Sequence, residues 1–329
     1  MSTADSFLKD RRACPADTNP RTPHDMSSLP EIAVCPHATQ YSMPVVDVAV
    51  AAAERGFTGL FLNEHTHIPV DCSSSSYPPG GDIPDRYAQL YDPLVALSFV
   101  AATTTLDIGT NICLIGEHDP IAMAKAVATL DYLSYGRMTL GIGYGWNREE
   151  FADHGYHPAL RGQVVDEKIA AMIALWTKEV AEFHGRFVHL APSRMFPKPV
   201  QQPHVPVLLG ARASEKNFKR ISNWASGWMP QANLFSPEFD TDLRRLREVW
   251  EQAGRDPAQL NVTMSLSSSL IPKGGEPIGL HRVPLSRFRA AMRQAASLRI
   301  QRVWIPLLDL PDDNVIAILD HIGGGLSTL

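Results

Sequence analysis

Short apolar runs alternate along the chain with longer segments whose apolar residues recur every three or four positions. Eight of the short runs read as strands: EIAVCPH, TGLFLNE, LDIGTNICL, RMTLGIGYG, VPVLLGA, ASGWMP, LNVTMSLSSSL and QRVWIPLL. Between them the spacing predicts helices over 45–55, 93–103, 121–134, 160–177, 214–222, 237–253, 285–298 and 312–322. Asp92-Pro93 and Asp119-Pro120 each read as an N-cap followed by proline at the first helical position. Gly56 reads as a helix stop. Strand then helix, eight times over, predicts parallel strands joined by helical crossovers. In the α/β class that number points to a closed (β/α)8 TIM barrel, with an open doubly wound sheet as the runner-up.

Two segments break the rhythm. One, near 66–91, carries SSSSYPPGGDIP; the other, near 183–202, carries three prolines. Long segments of this kind read as binding loops or as tolerated surface insertions. Residues 1–29, rich in Pro, Asp, Ser and Thr, are expected to be a flexible arm, leaving 30–329 as one barrel domain.

At 329 residues and 44% hydrophobic content the chain can bury a sizeable core. Thirty Lys+Arg against 35 Asp+Glu give a formal charge of -5, with no general attraction for nucleic acid or an anionic membrane. Cys14, Cys35, Cys72 and Cys113 form no CxxC pair, so a reduced, cytoplasmic protein is expected. No stretch reaches the ~18 apolar residues of a membrane span.

Three stretches carry candidate chemistry. LFLNEHTHIPVD is a strand that stops abruptly at Asn63-Glu64-His65-Thr66-His67. If the barrel holds, this is its C-terminal face, where barrel enzymes build active sites. A metal site, a proton-transfer or cofactor site and a solvated loop all fit that spelling. In GRMTLGIGYGWNREEFADHG, alternating Gly141, Gly143 and Gly145 either open space for a flat group or allow tight packing at the barrel mouth. In PVLLGARASEKNFKRIS, a strand ends at Gly210 and Ala211-Arg212-Ala213-Ser214 opens a helix. That turn could seat a phosphate, or Ser214 could simply be the cap.

Together with DPIAMAKAVATLDYLSYGR, DPLVALSFVAATTTLDIGTNI, IAALWTKEVAEFHGRFVHL, PKPVQQPHVPVLLGARAS and ASGWMP, these stretches resemble the bacterial luciferase-like monooxygenase superfamily. The nearer resemblance is to its deazaflavin branch, which uses coenzyme F420, and it covers roughly residues 30 to 255. It implies a (β/α)8 barrel with insertions and a deazaflavin, or alternatively FMN, at the C-terminal mouth. It implies His65 as the acid/base, with Glu64 as a supporting or cofactor-facing residue. Thr110, Asn111 and Ile112 would border the ring, with a non-proline cis bond at Asn111-Ile112. Gly141, Gly143, Tyr144, Gly145 and Trp146 would lie beside the cofactor. Gly210, Ala211, Arg212 and Ser214 would hold its phosphate, and His37 and Asn63 complete the set. Two departures stand out. Trp146 occupies the place where some relatives carry a second acid, which argues against a sugar-phosphate dehydrogenase, and the usual Gly-Gly of the phosphate turn is Gly210-Ala211.

The expected activity is hydride transfer to or from a small organic substrate at a C=C, C=N or alcohol/carbonyl group. A homodimer is expected from the resemblance, and a separate reductase partner only with FMN. The competing readings are an FMN-dependent two-component monooxygenase, a metal-dependent hydrolase recruiting His65, His67, His118 and Asp309, and a cofactor-free binding subunit. No metal is expected: a catalytic zinc needs three protein ligands, the His-x-His pair follows the second strand rather than opening the barrel, and no further cluster appears.

Overall fold

The eight apolar runs become eight parallel strands in the computed structural model, which describes residues 29–77, 81–270, 280–307 and 310–326. The strands are β1 (Glu31–Pro36), β2 (Gly59–Leu62), β3 (Asp107–Thr110), β4 (Met138–Gly143), β7 (Val207–Gly210), β8 (Gly227–Trp228), β9 (Asn261–Ser265) and β10 (Arg302–Leu307). They close in the order β1-β10-β9-β8-β7-β4-β3-β2, the expected (β/α)8 barrel. The helices are α1 (Val45–Glu54), α2 (Pro93–Thr103), α3 (Pro120–Leu133), α4 (Arg148–Asp153), α5 (Arg161–Thr177), α6 (Glu215–Trp224), α7 (Pro237–Gln252), α8 (Ser267–Leu270), α9 (Leu285–Ser297) and α10 (Asp312–Leu326). The expected N-terminal arm lies, Leu29 apart, outside the described residues, as does Asp309.

Alternation within each apolar run sorts its residues to two sides. Ile32 and Val34 of β1, Leu60 and Leu62 of β2, and Val207 and Leu209 of β7 join the large core between strands and helices. Their neighbours Ala33, Phe61 and Leu208 point inward and meet Met229, with Ile112 and Trp304 against them. The barrel is thus filled rather than hollow. At its floor Arg302 reaches both Glu31 and Asp107, tying β10 to β1 and β3, with its guanidinium 5.3 Å from the Phe61 ring.

Helix starts follow the caps read from sequence. The Asp92 carboxylate accepts from Val95 N at 2.9 Å, and Asp119 from Ile121 N and Ala122 N at 3.0 and 2.8 Å. Gly56 ends α1 at φ +82°, a conformation open to glycine.

Three elements differ from expectation. LNVTMSLSSSL does not run on as a strand. Ser265 Oγ accepts from Ser267 N at 3.2 Å, and the chain turns into α8. ASGWMP contributes only two ladder residues. The insertion near 183–202 holds an antiparallel hairpin, β5 (Ala181–His184) with β6 (His189–Ser193). Its turn is tied from a distance: the Glu167 carboxylate on α5 accepts from Arg186 N, Phe187 N and Val188 N.

β8 can lie against β9 because Gly227 carries no side chain. A Cβ on Gly227 would lie 1.8 Å from the backbone oxygen of Asn261 on β9, an atom that cannot yield without breaking the ladder. Gly227→Ala should therefore cost about 1–3 kcal/mol or more. Gly324→Ala, on an exposed turn of α10 where an added Cβ would meet no atom within 4 Å, should gain about 0.5–1 kcal/mol. Urea denaturation of both variants checks the contrast; equal midpoints would contradict it.

Candidate functional site at the barrel mouth

The three strand ends β3, β4 and β7 meet through a notch. Gly143 and Gly210 carry no Cβ where the Ile112 side chain lies: a Cβ on Gly143 would sit 1.8 Å from Ile112 Cδ1, and one on Gly210 2.7 Å from its Cγ2. At Gly141 a Cβ would strike Thr110 O at 2.2 Å and Met229 Sδ at 2.5 Å. So the glycines of β4 make room for the chain's own segment. The tight-packing alternative is what the structure has at Gly141 and Gly143. Backbone bonds hold the segment down: Cys113 N donates to Gly141 O at 2.8 Å and Gly143 N to Cys113 O at 3.1 Å. Thr110 Oγ1 donates to Gly141 O at 2.6 Å, so its hydroxyl is committed to the scaffold. The Asn111-Ile112 peptide is cis, as expected. Asn111 Nδ2 turns to Cys35 Sγ at 3.5 Å.

The end of β2 splits its two ionisable residues. Glu64, buried, accepts from Leu114 N at 2.6 Å and pairs with His118 Nε2 at 2.8 Å. Burial alone would raise its pKa, but the His118 bond and charge and the Leu114 N–H together hold it below the ordinary value. Burial works against the charged His118 ring, and Glu64 outweighs it, raising that pKa. His65 faces elsewhere. Its Nδ1 lies 2.6 Å from Glu150 Oε2 on α4, and both side chains are buried. Glu64, expected as a supporting or cofactor-facing residue, bonds away from His65; the carboxylate that orients the ring is Glu150. Nε2 of His65 makes no hydrogen bond among the described residues and is not sealed from solvent.

Glu150 was not singled out in the sequence. A signal existed: Asn147 caps α4, accepting from Glu149 N and Glu150 N at 3.1 Å, and Glu150 stands three residues after it. A glutamate there ordinarily reaches back to the cap. This one turns to His65 and to Thr66, whose N–H it accepts at 2.8 Å. A third buried carboxyl, Glu117, meets Thr66 Oγ1 at 3.4 Å. Its burial, then the charges of Glu150 and Glu64, push its pKa up to about 9, so it is neutral at pH 7. Lys168 on α5 closes the group from below, donating to Gly116 O and His118 O at 2.7 Å. Burial lowers its pKa to about 8.

Aromatic rings wall the His65 imidazole. Tyr87 and Trp146 meet it edge-on at 5.2 and 5.3 Å, and Tyr77 lies 5.6 Å from Trp146. Tyr77 and Tyr87 come from the loop after β2, which thus builds part of the site. His37 packs edge-on against Tyr87 at 5.7 Å. Asn63 Oδ1 is buried and accepts no hydrogen bond among the described residues. The metal reading fares poorly: His65 and His67 turn to different acids, Glu150 and, at 3.0 Å, Asp153. Glu64, Cys113 and His118 do bring three ligand-type atoms within 4.8 Å. Burial keeps the Cys113 thiol protonated, however, and the other two form an ion pair.

The turn after β7 lies on the other side of the notch. Ser214 Oγ caps α6 through Asn217 N at 3.2 Å, and Ala211 O accepts from Trp228 Nε1 at 2.9 Å. The Arg212 guanidinium is exposed and has no partner among the described residues. Tyr144 donates to Asn217 Oδ1 at 3.2 Å, and burial raises its pKa to about 12. Gly145 takes φ +72° with Glu117 Oε1 3.5 Å from where its Cβ would stand.

Comparison with known proteins agrees with this architecture. A model described as luciferase-like monooxygenase matches residues 25–271. An uncharacterised protein of Mycobacterium tuberculosis is 44% identical over 209 residues, 62% of this chain and 73% of that protein. An FMNH(2)-dependent dimethylsulfone monooxygenase of Pseudomonas putida is 32% identical over 136 residues, 40% of this chain and 37% of that protein. An F420-dependent glucose-6-phosphate dehydrogenase of Kineococcus radiotolerans is 27% identical over 235 residues, 68% of this chain and 63% of that protein. The solved structure of the monooxygenase RslO1 from Streptomyces bottropensis shares the fold, with a TM-score of 0.71 at 19% identity, covering 91% of this chain and 99% of that one.

The neutral Glu117 makes stability depend on pH in a definite direction. Its folded pKa lies above its unfolded value of 4.5, so the folded state holds a proton that the unfolded chain releases between 4.5 and about 9. Stability from this group is full below that window and falls as pH rises through it. Glu117→Gln should remove the slope. Between about pH 6 and about pH 9 its unfolding free energy should drop less than that of the unsubstituted protein, by about 4 kcal/mol. Denaturant melts at the two pH values measure this; parallel losses would count against a buried neutral acid.

Proposed function

The chain belongs to the luciferase-like monooxygenase family, and we propose that it is a coenzyme F420-dependent oxidoreductase that moves a hydride to or from a small organic molecule. The observation that carries this reading is His65: its Nδ1 is held by a buried carboxylate, 2.6 Å away, while Nε2 stays available at the C-terminal mouth. A histidine so held has one nitrogen assigned to structure and the other to proton exchange.

The mouth fits a deazaflavin on several counts. Ile112, fixed in its glycine notch, presents an apolar surface at the tips of β3 and β4. Asn63 Oδ1 is a buried acceptor that a donor on the ring would satisfy. Arg212, unpartnered beside the start of α6, would hold the phosphate by a charge-assisted bond, with the peptide N–H groups of 212–214 near it. When bound, the deazaflavin supplies the hydride at its C5 carbon.

The chain's own residues supply the rest. Tyr77, Tyr87 and Trp146 exclude water from one side of His65 and offer apolar surface to a substrate. His65 Nε2 gives a proton to, or takes one from, the atom left charged by hydride movement. Glu150 holds the ring and stabilises the imidazolium that forms. Glu64, bound to Leu114 N and His118, acts one step removed by fixing the segment that would support the cofactor. Among the described residues no helix is long and apolar enough to cross a membrane. We place the enzyme in the cytoplasm, as a homodimer on the strength of family resemblance.

Fluorescence titration with coenzyme F420 and, separately, FMN tests the reading. Saturable F420 binding is expected, weakened about tenfold or more by Arg212→Ala through the loss of a charged bond of ~1.5–3 kcal/mol. Binding of FMN alone would favour a two-component monooxygenase with a reductase partner; binding of neither would overturn a flavin-type function. In turnover assays over small alcohols, enones and imines, His65→Gln should cost about 10²–10⁴-fold with cofactor binding retained.

A further inference from the structure

His65 Nε2 carries no hydrogen bond among the described residues and faces the mouth that the proposed cofactor and substrate would cover. The ring's other nitrogen opens onto a different route. Glu150 Oε2 lies 2.6 Å from Nδ1, and Oε1 of the same carboxylate accepts from Thr66 Oγ1 at 3.3 Å and Thr66 N at 2.8 Å. Thr66 Oγ1 in turn lies 2.9 Å from His154 Nε2 and 3.0 Å from His67 Nδ1. Both outer rings reach solvent: the His154 side chain is 27% exposed and that of His67 40%. His67 Nε2 continues to Asp153 at 3.0 Å.

We propose that Thr66 is a proton-relay residue, joining the buried His65–Glu150 pair to solvent through His154 and His67 by a path that bypasses the barrel mouth. The inference rests on His65 being the acid/base of the proposed reaction, and extends it to how that histidine is recharged.

The steps balance. Charged His154 gives its Nε2 proton to Thr66 Oγ1 as the hydroxyl passes its own proton to Glu150 Oε1. The Glu150 carboxyl then turns to present that O–H to Nδ1 of the neutral Nε2–H ring, and its transfer gives imidazolium, which can release Nε2–H into the mouth. When the reaction instead produces a proton, Nε2 accepts it, Nδ1–H passes to Glu150 Oε2, the carboxyl turns to present that O–H to Thr66 Oγ1, and the sequence runs outward to water, restoring the Nε2–H ring. No group gains or loses electrons.

The surroundings suit such traffic. Burial and the neighbouring His67 and His118 lower the pKa of His154, so it readily gives up a proton it has captured. Glu117, neutral to about pH 9, keeps a second negative charge away from Glu150. A purely structural Thr66 would need only its N–H on Glu150. Its hydroxyl is instead surrounded by two acids and two imidazoles.

Solvent exchange of the His65 Nδ1 proton, followed by NMR on protein carrying nitrogen-15 histidine, tests the relay without a substrate. The signal is assigned by its loss in His65→Gln. Thr66→Val keeps the shape and the backbone N–H but removes the hydroxyl. It should slow exchange about 100-fold, the scale on which positioned proton-transfer groups act. Thr66→Ser should restore it, and the His67→Gln/His154→Gln double variant should slow it as Thr66→Val does. An unchanged rate in Thr66→Val, or failure of Thr66→Ser to restore it, would overturn the relay. The same measurements with saturating F420 separate the two ideas. Slowed exchange in a protein that binds no F420 leaves the relay standing and removes the cofactor reading; F420 binding with exchange indifferent to Thr66 does the reverse.

Discussion

Everything at the mouth depends on the missing Cβ atoms of Gly143 and Gly210. Because neither strand end protrudes there, Ile112 can lie across β4 and β7, and the 111–114 segment can bond edge to edge with β4. That places the Leu114 N–H within 2.6 Å of Glu64 and carries the chain on to Glu117 and His118. A side chain at either position would push Ile112 out, and the distances that assemble the carboxylate group would be lost with it. Packing of this kind is stiff because protein interiors have little free volume in which to relax.

The group so assembled is costly on ordinary grounds. Glu64, Glu117 and Glu150 are all buried, and buried charge is tolerated only when paired or neutralised. Each carboxyl has a different solution. Glu64 is charged against His118 and a backbone N–H. Glu150 faces His65 and Thr66. Glu117, last to be served, keeps its proton. A fold held only for stability would gain by apolar substitution at such sites. That three buried acids remain, one against His65 and one against His118, is intelligible when the site must hold and move protons.

The barrel could be read from the chain because its signals are local: apolar alternation, Asp-Pro caps, and Gly56 at a helix end. All eight barrel strands and the long helices fall where periodicity puts them, to within a few residues. The hairpin β5–β6 could not be read, since its turn is fixed by Glu167 from another helix. The site was legible in its location and in His65. Glu150 stayed hidden because a glutamate three residues after an Asn cap looks like a helix start, and only the approach of β2 turns it toward a histidine. The β4 glycines were legible as a need for space, but their spacing does not say whether ligand or protein fills it.

The parity of β2 explains why the strand ends in an acid and then a histidine. Successive residues of a strand point to opposite sides, so Glu64 and His65, adjacent in sequence, cannot share a partner unless the backbone bends sharply. Glu64 turns to the segment after β3 and secures the floor of the mouth; His65 turns to α4 after β4 and faces the aromatic wall. One peptide thus joins a structural ion pair to the candidate reactive pair. A shift of β2 by one residue would, in one direction, place the charged Glu64 against Glu150 and, in the other, set the imidazole against a backbone N–H it could meet only as an acceptor. The register of a four-residue strand therefore sets the protonation chemistry of the site as well as its shape.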